Sequence, residues 1–196
     1  MAFLRSFSGE EHLPVLRGEG VWLRAPIAAD YEEWAELRAR SRAFLKPWEP
    51  TWPQDDLTRA AFRRRLRRYA EERRLDHAYS FFLFKNGSGE LMGGVTISNI
   101  RRSVAQTGTV GYWMGEPFAG QGYMTAGVRA LVPHAFGPMR LRRLEAACLP
   151  HNAASIRLLE KVGFIREGYA REYLCIDGVW QDHLLFALLR GDANIR

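Results

Sequence analysis

The chain is short of cysteine and lysine: two cysteines in 196 residues, and three lysines (Lys46, Lys85 and Lys161) among 28 basic side chains. Cys148 and Cys175 each sit inside apolar, strand-like runs. That makes them small buried hydrophobes and leaves no framework for disulfides or a thiolate metal site. No metal is expected, and a cytoplasmic location is. No apolar run approaches the roughly 18 residues that a bilayer demands, so no membrane partner is expected. Met1 to Glu10 is too short and too broken for a signal peptide. The remaining cations are arginines, and the net charge is +6. Such an excess favours approach to an acidic partner or an RNA-rich particle. The arginine run Arg63 to Arg68, extended by Arg73 and Arg74, spreads around most of a helix, as a solvated face does. No aromatic side chains interleave it as a stacking platform, so sequence-specific nucleic-acid recognition is not expected.

What is present is enough apolar material for one domain. Hydrophobic residues make up 47% of the chain, and a domain of this length buries about 70% of its unfolded surface. One domain over 1–196 is expected, with its core over about 20–190. Val21 to Arg24 reads as a strand. Asp30 can cap a helix that Tyr31, Trp34, Leu37 and Arg38 line on one side. Pro47, Pro50 and Pro53 break the next segment. Asp55 or Asp56 starts a second helix ending near Arg74. Three strands follow: Tyr79 to Phe84, Leu91 to Ile100 with a bend at Gly93-Gly94, and Thr107 to Met114. A helix then runs to Phe136, a strand covers Leu144 to Leu149, and a helix covers Asn152 to Lys161, closed by Gly163. Two long strands flank Asp177-Gly178, a hairpin signal. Hairpins mixed with a crossover helix point to an α/β (or α+β) fold with a mixed sheet.

The most informative stretch is Val110 to Thr125. A strand ends in a glycine-spaced turn, Ala119-Gly120-Gln121-Gly122-Tyr123-Met124-Thr125, and a helix starts there. Gly120 and Gly122 let backbone approach a bulky ligand. The helix presents free N–H groups and the positive end of its dipole, with no acidic side chain from Tyr123 to His134. A diphosphate fits that position without a lysine. The turn lacks the third glycine of a dinucleotide fingerprint and the Lys-Ser/Thr pair of a nucleoside-triphosphate loop. Thr125 adds a hydroxyl donor.

This segment resembles motif A of the GCN5-related N-acetyltransferase (GNAT) superfamily, Gln/Arg-x-x-Gly-x-Gly/Ala. Ala119 stands at the polar position, Gly122 at the central glycine and Met124 at the small one. Phe44-Leu45-Lys46-Pro47-Trp48-Glu49-Pro50, Leu149-Pro150-His151-Asn152 and Gly168 to His183 are similar to signatures of the subgroup of ribosomal-protein-alanine N-acetyltransferases of the RimJ type. The resemblance implies a single-domain GNAT fold, with a mostly antiparallel, splayed central sheet flanked by helices. It implies acetyl-CoA as the acetyl donor and a protein N-terminus as acceptor, with a ribosomal protein, and through it the ribosome, as partner. It also implies that Tyr112, Trp113 and Met114 run beside the pantetheine arm, that the turn from Ala119 to Thr125 holds the diphosphate, and that Asn152, Ser155 and Leu158 follow the arm on the next helix.

Acetyl transfer to nitrogen needs a neutral amine. At pH 7 roughly 10% of an N-terminal α-amine is neutral, against about 0.04% of a lysine, so an N-terminal acceptor asks little of a base. Direct attack is expected because no nucleophile calls for an acyl-enzyme. Asn152 caps its helix with Ser155 at the third position; the resemblance makes Ser155 the acid for the departing thiolate. For the base, Glu116, Glu172, Asp182 and His183 are candidates, with Glu172 and Asp182 favoured. On alternating strand faces Asp182 and His183 point oppositely, and Asp182 reads equally as a holder of the acceptor amine or as a structural anchor for Arg171 or the backbone. Phe44, Trp48, Trp52 and Tyr173 can wall the acceptor side as a lid or form a satellite core, with Glu49 attracting the amine. A small-molecule amine as acceptor, or a coenzyme A-binding sensor or assembly factor without turnover, stays open at this point, as does monomer against homodimer.

Overall fold

The computed structural model describes residues 14–192. Its frame is one eight-stranded sheet. A short strand, β1 (Leu16–Gly18), pairs with β2 (Val21–Arg24). Helices α1 (Tyr31–Arg40), α2 (Arg42–Leu45) and α3 (Arg59–Arg74) follow, then strands β3 (Tyr79–Lys85), β4 (Leu91–Arg101) and β5 (Thr107–Met114). Next come α4 (Tyr123–Phe136), β6 (Arg143–Cys148), α5 (Ala153–Val162), β7 (Ile165–Ile176) and β8 (Val179–Leu189). The strand order is β1-β2-β3-β4-β5-β6-β8-β7, antiparallel at every junction except β5–β6. The mixed, mostly antiparallel sheet expected from the sequence is therefore present.

The local signals act as their chemistry directs, with two exceptions at helix starts. Trp34, Leu37 and Arg38 are the buried residues of α1. Asp30 precedes α1 but does not cap it through its side chain. Its carboxylate instead takes Arg24 in a two-pronged ion pair and accepts from the Ile27 N–H. α3 is capped by Thr58, whose hydroxyl accepts from Ala61 N–H at 3.2 Å, and not by the aspartates before it. Asp55 and Asp56 hold Arg64 and Arg65 on that helix. Two elements, β1 and α2, go beyond the sequence expectation. Each is too short to carry a periodic signal, at three and four residues.

The Gly93-Gly94 pair exists because another chain segment comes close. A Cβ on Gly93 would lie 2.3 Å from the Trp113 carbonyl oxygen, and one on Gly94 2.5 Å from the Trp113 indole nitrogen. The register between β3 and β4 shifts one residue earlier, at Leu83/Phe84. The core lies between the sheet and α4, whose buried face includes Val128, Leu131, Ala135 and Phe136. On the other face Trp34 and Phe62 pack ring against ring at 4.8 Å. No helix among the described residues is long and apolar enough to cross a membrane.

One topological feature positions the site. β5 and β6 run parallel but pair only from Thr107 opposite Arg143 to Thr109 opposite Glu145. Beyond that point the strands diverge. Val110 to Met114 keep their partners on β4 and have none on the β6 side. A wedge-shaped gap opens in the middle of the sheet, with α4 and α5 starting at its mouth.

Candidate active site

A cavity of about 320 Å³ occupies that gap. The end of β5 forms one wall, the glycine turn and the start of α4 a second, α5 a third, and the aromatic segment after α1 a fourth. A larger groove of about 1180 Å³ lies on the far side of the glycine turn, between β1 and α4. Gly122, Tyr123, Thr125 and Lys161 border both. The smaller cavity holds the reactive groups, because only it reaches β5 and Ser155.

The turn is built for an anion. Gly120 and Gly122 have φ of 74° and 85°, the left-handed region that side chains disfavour. No protein atom lies within 4 Å of where a Cβ would sit on either. The glycines therefore answer to backbone geometry and leave room for a ligand. Gly122 is the N-cap of α4 and has no side-chain cap bond. Helix bonding starts with Ala126 N–H to the Gly122 carbonyl at 3.0 Å, so the preceding N–H groups are left for a ligand. Gln121 turns its side chain back onto the Pro117 carbonyl at 2.8 Å and borders the larger groove. Ala119 and Thr125 line the cavity. Met124 occupies the position where the motif has a small residue. It lines the cavity, and its side chain is 6% exposed and packs into the hydrophobic core.

On β5, Tyr112, Trp113 and Met114 all border the cavity. The Trp113 ring packs edge-on to Phe82 at 6.4 Å. Across the gap, Asn152 caps α5: its Oδ1 accepts from Ser155 N–H at 3.0 Å. The cap fixes the first turn and with it the Ser155 hydroxyl. That hydroxyl lies 2.6 Å from the Tyr112 phenol oxygen, joining residues 43 apart in sequence. Burial pushes the Tyr112 phenol well above its ordinary value, only partly opposed by the Ser155 hydrogen bond. The phenol therefore stays protonated and available as a donor. Burial also raises the Cys148 thiol, again against a hydrogen bond from Ser155. Tyr112 is expected from the sequence as a cofactor contact; its hydroxyl partnership with Ser155 is not, because nothing in either local sequence encodes it. Leu158 and Arg157 continue the α5 wall.

On the acceptor side, Phe44, Leu45, Trp48 and Glu49 line the cavity. The carboxylate of Glu49 is engaged. Arg38 donates to both oxygens at 2.7 Å, and Trp52 Nε1 donates to one at 2.7 Å. The Arg38 guanidinium lies 4.1 Å from the Trp52 ring centroid and 4.9 Å from that of Trp113. Glu49 thus anchors the loop and is not a free anion for an incoming amine. Its backbone carbonyl accepts from Asp177 N–H at 3.0 Å, tying the loop to the β7–β8 turn.

Glu172, Tyr173 and Asp182 stand on that hairpin, outside the cavity lining. Ala170 pairs with His183 and Leu174 with Gln181, so β7 carries extra residues in a bulge. Within it Glu172 has φ of 45°. Asp182 holds the bulge: one oxygen accepts from Glu172 N–H at 2.8 Å and the other from the Tyr169 hydroxyl. These bonds keep the Asp182 carboxyl below the usual carboxylate range. Asp182 is thus a backbone anchor, whereas Glu172 presents a carboxylate with no ion-pair partner among the described residues. His183 is 3% exposed, donates Nδ1–H to the Gln181 carbonyl at 2.9 Å and meets the Tyr173 ring at 5.7 Å. Glu116 starts a short turn, and its N–H donates to the Ser41 hydroxyl. Among the described residues no group of three or more metal-binding side chains is assembled.

A diverging β5–β6 pair, a left-handed glycine turn at a helix start and a capped helix facing them define a coenzyme A-dependent acyltransferase site. The sequence matches the acetyltransferase (GNAT) domain family over residues 21–165, and the chain belongs to that family. It is an acetyl-CoA-dependent N-acetyltransferase. It is 35% identical to the probable N-acetyltransferase YjcK of Bacillus subtilis, over 91% of this chain and 98% of that one. It is 32% identical to the [ribosomal protein uS5]-alanine N-acetyltransferase of Escherichia coli, over 95% of this chain and 97% of that one. Its fold superposes with a TM-score of 0.85 on Mycobacterium smegmatis RimJ in complex with CoA-disulfide, at 30% identity, covering 92% of this chain and 88% of that one.

Proposed function

We propose that this enzyme transfers the acetyl group of acetyl-CoA to the N-terminal α-amine of a protein, a ribosomal protein with N-terminal alanine or serine being the leading candidate. The observation that carries the reading is the single cavity joining the glycine turn, the free edge of β5 and the Tyr112–Ser155 hydroxyl pair. The similarity to an enzyme named for the alanine of uS5 supports the acceptor class.

The diphosphate rests on the N–H groups after Gly122. The pantetheine arm lies along the unpaired edge of β5, where backbone groups are free to bond its amides. An N–H of that edge polarises the thioester carbonyl, in the manner of an oxyanion hole. The neutral amine enters past Phe44 and Trp48 and attacks the carbonyl carbon. A C–N bond forms, the C–S bond breaks, and the departing sulfur receives a proton from the Ser155 hydroxyl as Tyr112 donates to the serine oxygen. The proton released by the amine passes through water back to this hydroxyl pair and restores both, with Glu172 as the hairpin carboxylate that can hold it in transit. Engagement of Glu49 by Arg38 supports this reading over one that captures a charged polyamine, because the lining offers no uncommitted anion.

Initial rates for peptides beginning with Ala or Ser, compared with polyamines and aminoglycosides at equal concentration, test the reading. Higher kcat/KM for the peptides is expected. Preference for a small amine over every peptide would sink the acceptor class while leaving acetyl-CoA as donor.

A further inference from the structure

Arg38 is an arginine placed where a core would take an apolar side chain. It lies on the buried side of α1, 6% exposed, with its guanidinium between the rings of Trp52 and Trp113. Its Nε–H has no hydrogen-bond partner among the described residues. An ion pair drawn out of water returns about what its desolvation costs, and apolar side chains of similar volume serve a core as well. An unmet buried donor lowers that return further. Stability therefore does not account for an arginine here. Geometry does, because a planar guanidinium takes a carboxylate at its edge and aromatic rings against its faces. Glu49, Trp52 and Trp113 are fixed at once.

These partners belong to opposed walls of the cavity. Glu49, with Phe44 and Trp48, lines the acceptor wall, and Trp113, with Tyr112 and Met114, lines the cofactor wall. Neither Arg38 nor Trp52 borders the cavity. The helix that carries Arg38 is held to the cofactor wall on both sides of it. Leu37 packs where Gly115 has no room for a Cβ, and the Ser41 hydroxyl accepts from Glu116 N–H at 2.9 Å. The acceptor wall is backed from outside by the hairpin turn, through the Glu49 carbonyl and a 3.5 Å ion pair between Lys46 and Asp177. Arg38 is thus the inner link between the two walls.

We propose that Arg38 is a positioning residue for the acceptor. It sets the distance between the aromatic wall and the thioester edge, and so admits small N-terminal residues and turns large ones away. This selection rests on a peptide N-terminus being the acceptor.

Steady-state kinetics with peptides beginning with Ala, Ser, Leu and Phe test this, beside calorimetric acetyl-CoA binding and a thermal melt of each variant. Arg38→Lys keeps the charge and loses the fork and the ring stacking. It should lower kcat/KM for the Ala peptide about 10²-fold, the loss that a misplacement of about 1 Å brings. The Phe peptide should lose less, so that the Ala-to-Phe ratio narrows at least about 10-fold, the scale on which a pocket separates side chains by size. Acetyl-CoA affinity should stay within about 2-fold, since Arg38 does not border the cavity. Trp52→Phe keeps a ring beside Arg38 and loses the bond to Glu49; it should move the ratio the same way by less, and it decides the matter should Arg38→Lys not fold. Arg24→Met breaks another two-pronged pair, with Asp30, whose residues do not border the cavity. It should lower the melting midpoint and leave the ratio unchanged. A parent enzyme that turns over Ala and Phe peptides equally overturns the proposal. So does an Arg38→Lys enzyme with the parent ratio, or a ratio that follows the melting midpoint through Arg38→Lys and Arg24→Met alike. A parent enzyme that prefers a small amine to every peptide sinks the acceptor class by itself. Arg38 is then judged by the same variants on primary amines of graded size, and unchanged discrimination there overturns its role.

Discussion

Ser155→Ala, Tyr112→Phe and their combination form the most instructive perturbation. The hydroxyls are 2.6 Å apart, with Ser155 buried and Tyr112 partly so. Tyr112→Phe removes one hydrogen bond and leaves the Ser155 hydroxyl without its buried partner. That costs about 1–3 kcal/mol in stability, and Ser155→Ala does the same to the phenol. Catalysis separates the roles. A proton donor to a leaving group contributes about 10²- to 10⁴-fold. Ser155→Ala should lower kcat within that range and leave the acetyl-CoA Kd within about 3-fold, since a single neutral hydrogen bond is worth about 1 kcal/mol. Tyr112→Phe should cost less, about 10-fold, because Ser155 can still donate without its replenishing partner. If the two act in series, the double variant is no slower than Ser155→Ala alone. Stopped-flow turnover with a peptide acceptor, beside calorimetric acetyl-CoA binding, separates these outcomes. A Ser155→Ala enzyme with unchanged kcat, or two losses that simply multiply, would refute the relay.

Gly122→Val should keep the fold, because no protein atom crowds the position, at a cost of about 1–2 kcal/mol for a left-handed φ; acetyl-CoA affinity should fall at least about 10-fold as the turn closes against its anion, read by calorimetry beside a thermal melt. Arg38→Met should cost about 3 kcal/mol of unfolding free energy, the lower end for a broken buried pair because Glu49 keeps some solvent, and Arg38→Met/Glu49→Met should regain most of it in urea titrations. His134 is partly buried and its pKa is lowered by that burial. The unfolded chain therefore binds more protons, so stability falls as the pH drops below about 6.5, until the folded-state pKa is passed. His134→Gln should flatten that acid-side slope, and an unchanged slope would place its origin elsewhere.

Local chemistry made part of this site legible in advance. The glycine turn, the Asn152 cap with Ser155 at its third position, and the Asp177-Gly178 turn each depend on residues within a few positions of one another. The apolar face of α1 follows from periodicity. What stayed hidden depends on partners distant in sequence. The divergence of β5 from β6 is a matter of register, and Tyr112–Ser155 spans 43 residues. Glu49 reads as a free carboxylate because the sequence places Arg38 on the lined side of α1 but does not show that its guanidinium reaches a partner 11 residues on. Asp182 reads from sequence equally as a site carboxylate or a backbone anchor, because the bulge that decides for the anchor is invisible in an alternating strand pattern.

The central claim is that acetyl goes from acetyl-CoA to an N-terminal nitrogen in the cavity between β5 and α5. The most direct measurement uses isotopically labelled acetyl-CoA and a peptide that begins with alanine and carries an internal lysine, with mass spectrometry to locate the label. Label on the α-nitrogen alone is predicted, lost when the N-terminus is blocked and when Gly122 is replaced by valine. Label on the lysine, or transfer that survives N-terminal blocking, would contradict it.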